Sequence, residues 1–289
     1  MTPRKRYSIR LPGRAPLELG GCTLIMGIIN VTPDSFADGG RRFDADRAVA
    51  DGLQMIADGA HILDVGGEST RPGADPVPAD EELRRVLPVV QALAQDGRVP
   101  ISIDTYKADV AREAIARGAA IVNDVSGLQH DGGLAAAVAE TGAAIVLMHA
   151  RGRSRDMYRE AVYDDVAGEI GRELEAAIGR ATAAGVPRDR IIVDPGLGFA
   201  KRAEHTWEAL AGLDRLAALD RPILVGPSRK SFLLSATGDR QPSGRDWGTA
   251  AAITASVLGG AHIVRVHAIR EMADAVRVAD RLRAAGIRH

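Results

Sequence analysis

Residues 100–124 read PISIDTYKADVAREAIARGAAIVND. The stretch is one complete unit. A short apolar run, Pro100–Ile103, ends in the polar Asp104. A helical segment follows and is stopped by Gly118. A second apolar run, Ala120–Val122, ends in Asn123-Asp124. Runs that are continuously apolar, rather than alternating, suit parallel strands covered on both faces. Strand, helix and strand in succession make a βαβ unit.

The same unit recurs in both directions along the chain. The other apolar runs are Thr23–Ile29, Ile62–Val65, Ala144–Met148, Ile191–Val193, Pro222–Val225 and His262–Val266, which makes eight in all. Between them, Val49, Leu53 and Ile56 share one helical face. So do Leu83, Leu87 and Val90; Val166, Ile170, Leu174 and Ala177; and Met272, Val276, Ala279 and Leu282. Gly59, Gly118, Gly142 and Gly185 stand where those helices should stop. Eight α/β units without a linker predict a single-domain (β/α)8 TIM barrel over residues 23–289. An open doubly wound sheet is the alternative, weakened because no G-x-G-x-x-G follows the first run. Residues 1–22 form an extension, in which 7–22 are expected to lay a hairpin across the barrel floor.

Composition agrees with this and excludes other classes. The chain has 289 residues, of which 46% are hydrophobic and 26% charged, so it is neither disordered nor collagen-like. Its single cysteine forbids an intramolecular disulfide framework and a zinc–cysteine cluster. With 37 Lys and Arg against 38 Asp and Glu, the net charge of −1 offers no long-range attraction to nucleic acid or anionic lipid. No apolar run of signal-peptide or membrane-spanning length is present, so a soluble cytoplasmic protein is expected.

Each run ends in a polar residue that the local structure does not require. These are Asn30, Glu68, Asp104, Asn123-Asp124, His149, Asp194, Ser228-Arg229-Lys230, and Arg265 with His267. In a barrel they lie on the one face where barrel enzymes place their chemistry. Helix capping explains any one of them as well, but for all eight a shared site is the better account. Loops after the seventh and eighth strands commonly bind phosphate. Arg265 and a protonated His267 suit a diphosphate there. Asp104, Asn123 and Asp194 are compatible with acid–base work, metal binding or recognition of a heterocycle bearing N–H groups. The Gly-rich loops 31–40 and 66–76 read as lids or binding loops, with Phe36 and Arg71 as their notable side chains.

Longer matches then accumulate in order. Met26-Gly27-Ile28-Ile29-Asn30-Val31-Thr32-Pro33-Asp34-Ser35-Phe36 and Leu63-Asp64-Val65-Gly66-Gly67-Glu68-Ser69-Thr70-Arg71-Pro72-Gly73 resemble the two signatures of the dihydropteroate synthase family. Asp194-Pro195-Gly196-Leu197-Gly198-Phe199, Gly226-Pro227-Ser228-Arg229-Lys230 and Arg265-Val266-His267 resemble it too, and the likeness covers residues 23–284. It implies a pterin-binding barrel that joins 6-hydroxymethyl-7,8-dihydropterin diphosphate to 4-aminobenzoate in folate biosynthesis. By motif, Asp104, Asn123, Asp194 and Lys230 would hold the pterin. Asn30, Thr70, Arg265 and His267 would hold the diphosphate, and Asn30 would also ligate Mg²⁺. Phe36, Arg71, Pro72, Phe199 and Ser228 would shape the aminobenzoate pocket. Asp34, Lys230, Arg265 and His267 would be catalytic. The resemblance further implies a homodimer and a sulfonamide target.

Two departures stand out. Ala150 follows His149 where the family usually has Met, and Ala268 follows His267 where an Asp is usual. The rival readings are a folate-dependent methyl transferase on a similar barrel, a Schiff-base aldolase using Lys230, and a pterin-binding protein without activity.

Overall fold

The computed structural model describes residues 4–32, 41–69, 73–153 and 157–286. It opens with β1 (Tyr7–Ile9) and β2 (Leu17–Leu19), an antiparallel hairpin with Tyr7 opposite Leu19. Then come β3 (Leu24–Asn30), α1 (Arg41–Ala57), β4 (Ile62–Gly66), α2 (Ala79–Asp96), β5 (Ile101–Asp104) and α3 (Ala108–Ala116). Next are β6 (Ile121–Asp124), α4 (Leu134–Thr141), β7 (Ala144–Met148), α5 (Val166–Ala183), β8 (Ile191–Asp194) and α6 (Ala203–Ala211). The chain continues through β9 (Leu224–Val225), α7 (Leu234–Thr237), α8 (Asp246–Leu258), β10 (Ile263–Val266) and α9 (Ile269–Gly286). The eight later strands form one parallel sheet in the order β8-β7-β6-β5-β4-β3-β10-β9. A parallel bridge between Val193 and Ile223 joins its two edges, with the Val193 N–H donating to Pro222 O at 3.0 Å. The sheet is thereby closed into the expected barrel.

The continuous apolar runs are explained by burial on both sides. Alternate residues (Met26, Ile62, Ile121, Val146, Ile192, Leu224 and Ile263) fill the barrel interior. Their neighbours, such as Ile25, Leu63, Ile103, Val122, Ile145 and Val193, face the helices. Hairpin residues Ile9, Leu11 and Leu19 join the interior cluster and stopper the N-terminal end of the barrel. Gly142 illustrates the helix stops: at φ +70° it ends α4, and its N–H returns to Val138 O at 3.1 Å. No helix among the described residues is long and apolar enough to cross a membrane.

Two details differ from expectation. The seventh run is a strand only at Leu224–Val225, because Pro222 has no N–H to pair and Ile223 forms the isolated bridge to Val193. Leu282 is half-exposed, and it is Arg283 that turns inward from α9. Arg283 donates to the Val257 and Leu258 carbonyls at 3.3 and 2.8 Å. The last carbonyls of α8 lack partners within their own helix, so that position needs a donor rather than an apolar group.

His262 couples the hairpin to the barrel. Its Nδ1 accepts from the Ile223 N–H and its Nε2 lies 3.1 Å from Lys5 O, with Tyr7 packed edge-on at 5.3 Å. Burial pushes the imidazole down to about 4. Above pH 6.5 it is neutral in both the folded and unfolded chain, so it has no effect on stability there. As pH falls from 6.5 to 4, the unfolded chain takes up a proton that the folded one refuses. Stability should then decline by about 3 kcal/mol across that window. Urea denaturation at stepped pH should show this slope and should show it flattened in His262→Gln.

Candidate active site at the barrel mouth

The C-terminal ends of parallel strands share one face, and five of them deliver buried polar groups to its centre. Arg265 from β10 donates through Nε to Asp64 of β4 at 2.6 Å and through Nη2 to Asp104 of β5 at 2.7 Å. Asn123 from β6 donates through Nδ2 to the same Asp64 oxygen at 2.9 Å. Asp194, at the end of β8, accepts from the Gly196 N–H at 2.7 Å and is opposed by the charge of Lys230. Lys230 follows β9, donates to Leu197 O, and lies 4.3 Å from the centre of the Phe199 ring.

Burial dominates the electrostatics of this cluster. It pushes the Asp104 carboxyl up to about 7 against the pull of Arg265, with Asp64 and Glu82 adding to the rise. It raises Asp194 against Lys230. It also brings Lys230 down to about 8, a fall that Asp194 limits. Burial would weaken Arg265 as well, but Asp64 and Asp104 outweigh it and hold the guanidinium charged. The cluster therefore presents carboxylate and amide acceptors beside two cations. That pattern fits a flat heterocycle with N–H donors on one edge and acceptors on another.

Further out, Ser228 and His267 are joined by a 2.9 Å contact between Oγ and Nδ1, and the His267 N–H donates to Ser228 Oγ at 3.2 Å. The Ser228 hydroxyl, expected in the aminobenzoate pocket, is thus engaged by His267. The serine that lines the neighbouring cavity is Ser231. This cavity of about 240 Å³ is also lined by Gly198, Lys201, Arg202, Phe232 and Tyr158. Asn30 ends β3 with its side chain exposed. Asp34, Phe36, Thr70, Arg71 and Pro72 lie outside the described residues.

Not every polar strand end joins the site, which corrects the expectation of a single shared centre. Arg229 turns away at φ +58° and pairs with Asp246 through two contacts of 2.8 Å. Asp124 accepts from the Ser126 and Leu128 N–H groups and so fixes its own turn. Glu68 holds Tyr106 at 2.8 Å and Lys107 at 2.5 Å. His149 links Glu173 at 3.1 Å to the buried Lys201 at 2.7 Å. Lys201 also donates to Gly196 O and Phe199 O, which ties the loop carrying Phe199 to the end of β7. These side chains brace the loops around the mouth and cap no helix among the described residues, so their role is structural but differs from the capping weighed against function.

Asp64 and Lys201 escaped the sequence reading. For Asp64 a signal existed: a lone charge inside the apolar run Ile62–Val65, on a strand covered on both faces, must be paired. Lys201 stands between a glycine-rich loop and a helix, where a lysine is unremarkable. Among the described residues no group of three His, Cys, Asp or Glu side chains could hold a metal ion.

The comparisons with known proteins converge on one family. The family described as "Pterin binding enzyme" matches residues 26–267. The dihydropteroate synthase of Mycobacterium leprae is 50% identical over 260 residues, covering 88% of this chain and 91% of its own. That of Synechocystis is 45% identical over 270 residues, covering 93% of each. Among solved structures, the Xanthomonas albilineans dihydropteroate synthase with 4-aminobenzoic acid superposes with a TM-score of 0.90 at 42% identity, over 97% of this chain and 99% of that one.

Proposed function

The chain belongs to the dihydropteroate synthase family of pterin-binding enzymes, and from that membership we propose how its barrel mouth joins 6-hydroxymethyl-7,8-dihydropterin diphosphate to 4-aminobenzoate. The enzyme is a transferase of folate biosynthesis that forms a carbon–nitrogen bond. The observation that carries the site assignment is the buried acceptor set below a cationic rim. Asp104, Asp194 and the Asn123 amide oxygen receive the ring N–H and amino groups of the pterin, and Lys230 donates to its opposite edge. Arg265 uses two N–H groups on Asp64 and Asp104. A guanidinium has five, so three remain for the diphosphate. His267, Asn30 and Thr70 complete that subsite. Phe36, Arg71, Pro72, Phe199 and the Ser228–Ser231 turn enclose the aminobenzoate.

A Mg²⁺ ion suits this arrangement. Asn30 offers one hard oxygen at the rim, and such an ion usually takes most of its ligands from substrate phosphate and water. When bound there, it would neutralise diphosphate charge.

In the reaction, the bond between the pterin methylene and the diphosphate oxygen breaks, and both electrons leave with the oxygen. The pterin ring spreads the resulting positive charge. The family motif assigns Asp34 to stabilise it. The arylamine nitrogen donates its lone pair to the methylene and releases one proton to water. Fixed donors at Arg265 and His267 stabilise the departing charge without reorganising. An arylamine is neutral at pH 7, so no strong general base is needed. The resemblance extends to a cytoplasmic homodimer, which sedimentation would test. The deciding experiment is pyrophosphate release from protein, Mg²⁺, dihydropterin diphosphate and 4-aminobenzoate, with each component omitted in turn. Release that is fastest in the complete mixture and accompanied by dihydropteroate supports the reading; release unaffected by the arylamine, or none at all, overturns it.

A further inference from the structure

Asp64 touches two of the ligand-facing groups and is itself wholly buried. We infer that Asp64 is a positioning residue that sets ligand specificity, by dictating which end of the Asn123 amide faces the pocket. The inference rests on the pterin reading above and deepens it.

The argument begins with what a carboxylate can do. An ionised carboxylate accepts hydrogen bonds and donates none. One oxygen of Asp64, Oδ2, receives both the Asn123 Nδ2–H at 2.9 Å and the Arg265 Nε–H at 2.6 Å. Only the NH₂ end of the Asn123 amide can therefore face Asp64, and its oxygen must be the end left for a ligand. Without such a partner the two ends of an asparagine amide exchange places at almost no steric cost, since oxygen and NH₂ are nearly the same size. Asp64 removes that freedom. With it, Asn123 is an obligatory acceptor and joins Asp104 and Asp194 in selecting a donor-bearing edge. Without it, Asn123 can turn to donate and accommodate a carbonyl where an amino group should be.

The same oxygen holds Arg265 by Nε, which leaves Nη2 directed at Asp104. The other oxygen of Asp64, Oδ1, is buried with no hydrogen-bond partner. A carboxylate kept in the interior with one oxygen unsatisfied is unfavourable for folding. What it provides against that cost is the orientation of two groups, Asn123 and Arg265.

The test compares two pteridines that differ at one group: pterin, with its exocyclic amino group, and pteridin-4(3H)-one, which carries only hydrogen there. Affinities are measured by calorimetric titration for the wild type, Asp64→Asn and Asp64→Leu. Arg265 Nε–H can only donate and so holds the asparagine oxygen at the Oδ2 position; Asp64→Asn should therefore retain the wild-type ratio of affinities to within about threefold. Leucine has similar size and no acceptor, so Asp64→Leu should reduce that preference at least tenfold. A ratio of affinities cancels any loss common to both ligands, such as a general loosening of the fold, and a merely structural role would leave it unmoved. If Asp64→Leu fails to fold by circular dichroism, Asp64→Ala takes its place. A preference unchanged in the leucine or alanine variant overturns the inference, and so does a preference lost in Asp64→Asn. A wild-type protein that shows no preference for pterin overturns the functional reading on which the inference rests.

Discussion

Arg265→Ala is expected to lower turnover by at least a hundredfold and, in a separate measurement without ligand, to destabilise the fold. Both effects follow from one side chain with two sets of partners. On the protein side, Arg265 neutralises Asp64 and Asp104. Its removal leaves two buried carboxylates without their cation, and breaking a buried pair in this way costs about 3–5 kcal/mol. On the substrate side, the proposed reading gives its remaining N–H groups to the departing diphosphate. Loss of one preorganised donor to developing negative charge typically lowers the rate by about 10²–10³. Arg265→Lys should recover little, because one ammonium cannot reproduce the fork that reaches two different carboxylates. Pyrophosphate release measures the first effect and urea denaturation the second. Wild-type kinetics in Arg265→Ala would remove this residue from the diphosphate site.

The second large effect belongs to Asp194. Asp194→Ala should weaken pterin binding by about a thousandfold, since a carboxylate that accepts two ligand N–H groups contributes about 1.5–3 kcal/mol through each. The loss is compounded at Lys230. Asp194 is the main charge opposing the burial that brings Lys230 down to about 8. Without that carboxylate the ammonium falls further and is partly neutral at physiological pH. The fold should survive, since among the described residues the Asp194 side chain otherwise accepts from the Gly196 N–H alone. Calorimetric titration with a pterin, alongside a circular dichroism spectrum, checks both halves. Unaltered affinity would refute the assignment.

The barrel was legible because its strands are buried on two faces and must be apolar at every position, while its helices bury one stripe. Those are different periodicities, and residues 100–124 show both. What sequence pattern could not convey is direction. Asp124, Asp194 and Arg229 look alike at the ends of runs, yet Asp124 closes its own turn, Asp194 faces Lys230 and Arg229 turns out to Asp246. The difference lies in local backbone conformation, such as the positive φ of Arg229, and the residue itself does not announce it. Leu282 failed for a related reason. The face of α9 that meets the end of α8 needs a hydrogen-bond donor, and only the packing of the two helices shows that Arg283 supplies it. Asp64 could have been found, since a charge inside a doubly covered strand has no other explanation than a partner. Its two partners, Asn123 and Arg265, are 59 and 201 residues away, and no local rule connects them.

The hairpin that stoppers the barrel also governs traffic. Ile9, Leu11 and Leu19 close the end opposite the acids, so whatever reaches Asp104 and Asp194 passes the rim and returns by the same route. A vessel with one door empties in the reverse order of filling. On the proposed reading the pterin, held by the buried acids, would enter first, the arylamine would follow, and a product that spans both would back out whole. An arylamine arriving early would then stand in the doorway, and a high concentration of the second substrate should slow entry of the first.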